Sequence, residues 1–324
     1  MDLELLRERA RIIRRVRAFF DERGYLEVDT PLLSPDLIPE SCLEVFETSR
    51  ILPRSPAPGG GGRKTAAPYW LIPSPEIWMK KLIARHRVNL YQVCKCFRNG
   101  ESTGRLHSPE FTMLEYYTMG DYEDSLRITG ELLAALLPSA GLPSPPRFTR
   151  LTMEEAFIRC GGLSLSGAVR EGRLEEEARR LGLDPIPGLD TAALYDLIFI
   201  HAVEPRLPKN EWVVLTGYPA FVPCLAKRSA GGTTAERWEL YRNGVELANC
   251  YTEEGDPEMV RAFFKNEGKA KEERALVRHG VDGDYWKLFR DFPPCSGTAL
   301  GLDRLIMILL GKKSIDGVLP FPMT

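Results

Sequence analysis

The sequence predicts an α+β protein: a mostly antiparallel sheet flanked by helices, with a small helical insertion at about residues 147–208. Three observations lead there. Strand-like segments lie both before and after a run of short helical patterns. Asn243-Gly244 separates the alternating runs "RWELYR" and "VELANCYTE", and that dipeptide supplies the positive φ that both central positions of a two-residue hairpin need. A long amphipathic segment opens the chain, and an apolar helical segment nearly closes it.

Taken in order, residues 3–23 carry Leu3, Leu6, Ile12, Ile13, Val16, Phe19 and Phe20 at helical spacing, with Gly24 as the stop. "YLEVDTP" reads as a short strand closed by Pro31, and "LEVFETS" (43–49) as another. Residues 53–68 are rich in Pro and Gly and read as a loop. Within it "GGGGRKT" (59–65) has Arg63 where a phosphate loop needs Gly before the Lys, so a linker is the better reading. "PEIWMKKLIARH" (75–86) is helical, with Pro75 near its N-terminal end. The strands "NLYQVCKCF" and "PEFTMLEYY" follow, then a helix at about 121–137 and the linker "PSAGLPSPP" (138–146). Residues 151–206 read as two or three small helices; Thr152 and Glu155 form a capping box, and Thr191 is a candidate cap for "AALYDLIFIHAV". Strand character returns at "EWVVLTG" (211–217).

Composition bounds the function. Net charge is -2, so no global basic field advertises nucleic-acid binding. No stretch approaches the ~20 apolar residues that span a bilayer, and the charged N-terminal segment is not a signal peptide. Seven scattered cysteines fit reduced thiols in a cytoplasm better than a disulfide framework. Cys94 and Cys96 lack a second pair or a nearby His to complete a zinc set.

The chemistry concentrates in three places. "FRNGESTGRLHSPEFTMLEYY" (97–117) packs Arg98, Arg105, His107 and three carboxylates into two strands and a loop. In the hairpin, pairing of 242 with 245, 241 with 246 and 239 with 248 would put Glu239 and Glu246 on one face as diagonal neighbours. On an exposed face that pair is a mild repulsion; the other reading is a bridging Mg²⁺, which takes one or two carboxylates plus substrate phosphates. In "CSGTALGLDRLIMILLG" (295–311), small residues lead into an apolar helix with Arg304 at its start, which is either a surface charge or an anion seat. Strict alternation puts Asn249 on the face opposite Glu246 unless the strand bulges near Ala248.

Together these segments resemble the class II aminoacyl-tRNA synthetases of the lysyl type. "GYLEVDTPLL" (24–33) resembles the family's first motif, "FRNGE…GRLHSPEFTMLEYY" its second, "GTALGLDRLIMILLG" its third, and "ELANCYTE" the lysine-pocket signature. The tRNA enzymes of this branch carry an anticodon-binding barrel ahead of the core, and here the first-motif helix begins at once. "PSPEIWMKKL" and "HSPEFTMLEYY" are closer to the free-standing elongation factor P–lysine lysyltransferases. The resemblance implies a single catalytic domain over 1–324 without that barrel, a homodimer built on the first motif, and activation of lysine or (R)-β-lysine by ATP and Mg²⁺. It implies elongation factor P as acceptor, with tRNA disfavoured. A tRNA-charging enzyme, a related adenylate-forming ligase and a catalytically dead paralogue are the rival readings.

The same resemblance implies the site. Arg98 and Arg304 are its catalytic residues. Its ATP set is Arg98, Glu101, Arg105, His107, Ser108, Phe111, Glu246, Leu247, Gly301 and Arg304, with adenine between Phe111 and Arg304 and the metal on Glu239 and Glu246. Glu253 and Tyr117 take the side-chain ammonium, with Asn249 in support, and Ser74, Glu76 and Glu115 surround the amino end. Ser108 stands where Asn is usual and Cys250 where Gly is usual, and the motif's acidic residue, Glu101, is shifted by one.

Overall fold

The structure is a computed structural model that describes residues 3–51, 66–100 and 103–323. The Gly-rich segment 59–65 and Glu101 lie outside the described residues. Helix α1 (Leu3–Asp21) leads to strands β1 (Leu26–Glu27), β2 (Leu33–Ser34), β3 (Glu47–Ile51) and β4 (Ala66–Leu71). Helix α2 (Glu76–His86) precedes the hairpin of β5 (Leu90–Phe97) and β6 (Glu110–Met119), and α3 (Tyr122–Leu136) follows. The insertion opens with β7 (Phe148–Thr152) and carries α4 (Met153–Ala156), α5 (Leu165–Arg170), α6 (Leu174–Arg180) and α7 (Thr191–Ile198). Strands β8 (Trp212–Pro219), β9 (Thr234–Arg242) and β10 (Val245–Thr252), helix α8 (Pro257–Arg274), β11 (Cys295–Gly301) and α9 (Leu302–Leu309) complete the order.

Eight strands form one sheet in the order β1-β5-β6-β11-β10-β9-β8-β7. The inner pairings are antiparallel, as the sequence predicts, but both edge pairs, β1 with β5 and β7 with β8, are parallel. Strand β7 was not expected: its residues follow a Pro-rich linker, and only pairing with the distant β8 makes them a strand. Strands β2, β4 and β3 form a separate small sheet. The capping box of Thr152 and Glu155 is present. Helix α7 is capped by Asp190, whose carboxylate accepts from the Ala193 amide, and not by Thr191, which is its first helical residue.

Each face of the sheet has its own cover. On one face α1, α3 and α9 bury Ile12, Val16, Phe20, Leu132 and Ile306 against Tyr91, Tyr116, Trp238 and Leu300. Phe20 stacks on Tyr91 with centroids 4.8 Å apart. The apolar stripe of α1 is therefore spent on its own sheet, while Leu3, Leu6, Leu26 and Leu33 stay exposed. A buried ion pair knits this layer: Arg9 meets Asp303 at 2.6 Å, and the other oxygen of Asp303 accepts from the Thr112 amide at 2.6 Å. Removing one partner of such a pair costs about 3–5 kcal/mol because the other charge is left buried and alone.

On the opposite face the cover is split. The insertion packs Phe157, Tyr195 and Phe199 against Val213, Leu215 and Tyr241 at one end. At the other end Ile77 of α2 joins Val260 and Phe264 of α8, with Tyr285 and Phe289. Between the two lies a cavity of about 710 Å³.

Candidate active site

The floor of the cavity is a set of cross-strand rows. One row runs Gln92, Glu115, Ala299, Asn249, Glu239 across β5, β6, β11, β10 and β9. The next runs Leu90, Tyr117, Gly297, Tyr251, Arg237. Residues directly opposite share a face, so these charged and aromatic side chains all point the same way. Next to the cavity the central strand supplies the small residues Gly297, Ala299 and Gly301 to that face, which leaves room above it. A Cβ on Gly297 would lie 2.7 Å from Glu253 Oε1 and 2.8 Å from Tyr117 Cε1.

The hairpin turn sits where Asn243-Gly244 places it, with φ of 56° and 74°. Its register then departs from simple alternation. Val245 pairs with Arg242 and Glu246 with Tyr241, but Ala248 pairs with Leu240 and Asn249 with Glu239. Leu247 is the bulged residue, and both Leu247 and Ala248 are buried in the core on the far side. The bulge resolves the conflict between Glu246 and Asn249, since both now share the site face with Glu239. Cys250 is corrected as well: it is opposite Trp238 in the core layer, so its side chain does not narrow the cavity.

Arg98 follows β5, where its amide donates to Pro109 O at 3.0 Å. Its guanidinium lies 5.3 Å from the Phe111 ring centroid. Arg304, at the start of α9, donates to Leu106 O at 3.1 Å and Glu246 O at 3.0 Å, and stands 3.9 Å from Glu246 Oε2. Arg98, His107, Ser108, Phe111, Glu246, Leu247, Gly301 and Arg304 all line the cavity. Arg105 does not: it turns away to donate to Lys313 O at 3.4 Å.

Glu239 and Glu246 differ in what they have left to offer. Glu239 is buried, with Arg237 at 2.5 Å on one oxygen and the Tyr241 hydroxyl donating to the other at 2.6 Å. Glu246 keeps a 40% exposed side chain beside Arg304. The donor set suits an ion that takes one or two protein oxygens plus phosphate. Among the described residues no group of three or more His, Cys, Asp or Glu is placed to hold a metal by itself.

The deeper end is a nest of carboxylates around an internal ammonium. Lys80 is fully buried and pairs with Glu76 at 2.5 Å and Glu253 at 2.7 Å. Burial would lower its pKa, but Glu253 and Glu76 outweigh that and hold it above the ordinary lysine range. The Tyr251 hydroxyl donates to Glu76 at 2.7 Å. Burial raises Glu253 to about 8 despite Lys80, and burial with the charge of Glu76 lifts Glu115 well above the carboxylate range. Glu115, Tyr117 and Glu253 are buried beneath the open cavity, and Ser74 precedes α2 half-buried. Asn249 Oδ1 and Gln92 Nε2 are buried with no hydrogen-bond partner among the described residues. Orphaned polar atoms of this kind call for a ligand or water.

Sequence reasoning missed Lys80, Tyr251, Arg237 and Glu40. The Glu76–Lys80 spacing of four on a helix was a visible signal. Its third member, Glu253, is brought in by β10 and could not be seen locally. Glu40, on the loop between β2 and β3, lines the cavity without belonging to any motif.

The chain matches the family described as tRNA synthetases class II (D, K and N) over residues 3–324. It is 36% identical over 322 residues to the elongation factor P–(R)-β-lysine ligase of Vibrio cholerae, covering 98% of this chain and 94% of that one. Similarity to the proteins of the same name from Avibacterium paragallinarum (36% over 324 residues, 98% and 95% covered) and Proteus mirabilis (34% over 323 residues, 98% and 94% covered) is of the same order.

Proposed function

This chain belongs to the class II tRNA synthetase family of the D, K and N type, and from that membership we propose that it adenylates a lysine and passes it to a lysine side chain of elongation factor P. The names of its relatives favour the (R)-β form of the amino acid and this acceptor. The observation that carries the reading is that Glu76 and Asn249, whose Oδ1 is left unpartnered, line the same cavity as Arg98, with Glu115 and Glu253 buried beneath it: carboxylates next to a cationic anion seat. A dicationic amino acid and a nucleotide phosphate are the complementary pair. Burying an ammonium without a carboxylate costs several kcal/mol, so such a pocket selects against neutral amino acids.

In the first half-reaction a carboxylate oxygen of the amino acid attacks the α-phosphorus of ATP, and the bond to pyrophosphate breaks. No protein nucleophile is required; the site positions and neutralises. Arg98 takes the charge that builds on the α-phosphate. Phe111 and Arg304 hold the adenine between a ring and a guanidinium, with Ser108, Leu247 and Gly301 around it and His107 toward the outer phosphates. Glu246 would hold Mg²⁺ with Glu239 behind it, and the ion, when bound, offsets phosphate charge. Glu253 and Tyr117 receive the side-chain ammonium, with Asn249 alongside; Ser74, Glu76 and Glu115 receive the other amino group. In the second half-reaction the acceptor amine attacks the adenylate carbonyl and AMP leaves.

ATP–pyrophosphate exchange with a panel of amino acids tests the first half-reaction. Incorporation with (R)-β-lysine or lysine is expected, and none with aspartate or asparagine. Offering tRNA and elongation factor P together tests the second. Label is expected on the factor; label on tRNA with the factor unmodified by mass spectrometry would promote the tRNA-charging reading.

We also propose that the chain acts as one catalytic unit and as a homodimer. Leu3, Leu6, Leu26 and Leu33 form exposed apolar surface on and after the first-motif helix, and a two-fold axis would cover the same patch on both subunits. Sedimentation at micromolar concentration should give a species of twice the 36.5 kDa chain mass; a fully active single-chain species would refute this.

A further inference from the structure

The transfer step needs a base. A lysine ε-amine arrives as an ammonium, and its lone pair is free only after a proton leaves. The carboxylates already placed in the site are engaged. Glu76 and Glu253 hold Lys80, Glu239 holds Arg237 and Tyr241, and Glu246 stands by Arg304. Glu115 is buried beneath the open cavity.

We propose that Glu40 takes the proton from the acceptor amine in the transfer half-reaction; this rests on the function proposed above. Glu40 lines the cavity on the loop between β2 and β3 and is half-buried. Helix α8 pins the backbone there. Lys271 Nζ donates to Glu40 O at 3.2 Å and to Leu43 O, and Glu267 accepts from the Ser41 amide at 2.9 Å. The carboxylate itself has no hydrogen-bond or ion-pair partner among the described residues. Its strongest charge couplings are to Glu76 and then Arg98. Those two flank the reacting carbonyl in the proposed mechanism, one at the amino end and one at the phosphate.

Burial, then Glu76, raise the Glu40 carboxyl to about 7, against Arg98, Lys80 and Lys271. Cys42 on the same loop, Glu267 from α8 and Tyr251 from β10 are the other titratable groups around it among the described residues. A base with a pKa near the working pH is the efficient kind. The step balances as follows. The ammonium gives one proton to the Glu40 carboxylate. The amine lone pair then forms the C–N bond, and the carbonyl–phosphate C–O bond breaks. The amide keeps one hydrogen, and the last proton leaves with AMP or to solvent.

The test separates the two half-reactions in Glu40→Gln. Exchange with lysine and (R)-β-lysine reads adenylation, and mass shift of recombinant elongation factor P reads transfer. Hydroxylamine, largely unprotonated at neutral pH, reads adenylate capture that needs no base. Transfer should fall about a hundredfold or more, while exchange and hydroxamate formation change by much less. Wild-type transfer should decline as pH drops below about 7, when Glu40 is protonated. In Glu40→Gln that inflection should vanish, leaving a steady rise with pH as free amine accumulates. Glu40→Asp should recover part of the rate. Transfer that falls no further than exchange, or hydroxamate formation that falls equally, overturns the assignment. Native protein that gives no exchange with either lysine would instead remove the proposed function, and that is visible before any variant is made.

Discussion

Replacing Arg98 by alanine is expected to slow adenylation about a hundredfold or more, the scale on which single preorganised charge donors act. Arg98 is locked at the end of the β5–β6 hairpin by its amide bond to Pro109 O, so its side chain leaves from a fixed point. The Phe111 ring beneath the guanidinium restricts it further. Charge builds on the α-phosphate as pentavalent phosphorus forms, and a pre-placed guanidinium meets that charge without reorganising. Amino-acid binding should change little, because the carboxylate nest is supplied by α2, β6 and the residue after β10. Arg98→Lys should recover only part of the rate, since one ammonium cannot present the planar fork. Steady-state exchange and single-turnover adenylate formation would measure this. A loss smaller than tenfold, in protein whose thermal midpoint is unchanged, would remove Arg98 from the role.

Much of this fold is local and was therefore legible. The α1 stripe, the Thr152–Glu155 box and the Asn243-Gly244 turn each follow from spacing or from a φ requirement within a few residues. What escaped is non-local or degenerate. Strand β7 exists because β8 pairs with it, and its residues, just after the Pro-rich linker, read as the start of the helical insertion. The bulge at Leu247 carries no Gly or Pro; it is set by burying Leu247 and Ala248 together behind the sheet. Asp190 and Thr191 are both good caps by composition, and the backbone turns helical at Thr191, which leaves extended Asp190 as the cap. The same division holds in the site. Arg98, Glu246 and Arg304 sit in segments with recognisable patterns, whereas Lys80 gains its meaning from Glu253, contributed by a strand late in the chain. Glu40 belongs to an irregular loop with no pattern at all.

Glu253→Gln should raise KM for the amino acid on the order of a hundredfold while leaving that for ATP within a few-fold. Two charge effects act together. The variant removes the carboxylate proposed to receive the substrate ammonium, and it leaves buried Lys80 with Glu76 as its remaining partner. Breaking a buried pair of this kind costs about 3–5 kcal/mol, part of which appears as lost stability and part as lost binding. Thermal unfolding reads the lost stability and KM reads the lost binding, so the two measurements tell the effects apart. Gly297→Ala gives an independent route to the same pocket. Its Cβ would stand 2.7 Å from Glu253 Oε1 and 2.8 Å from the Tyr117 ring, and both groups are buried and cannot swing clear. It should therefore raise KM for the amino acid without changing any charge. If KM for ATP rises as far as that for lysine in both variants, the pocket does not hold the ammonium, and the carboxylate nest around Lys80 is structural.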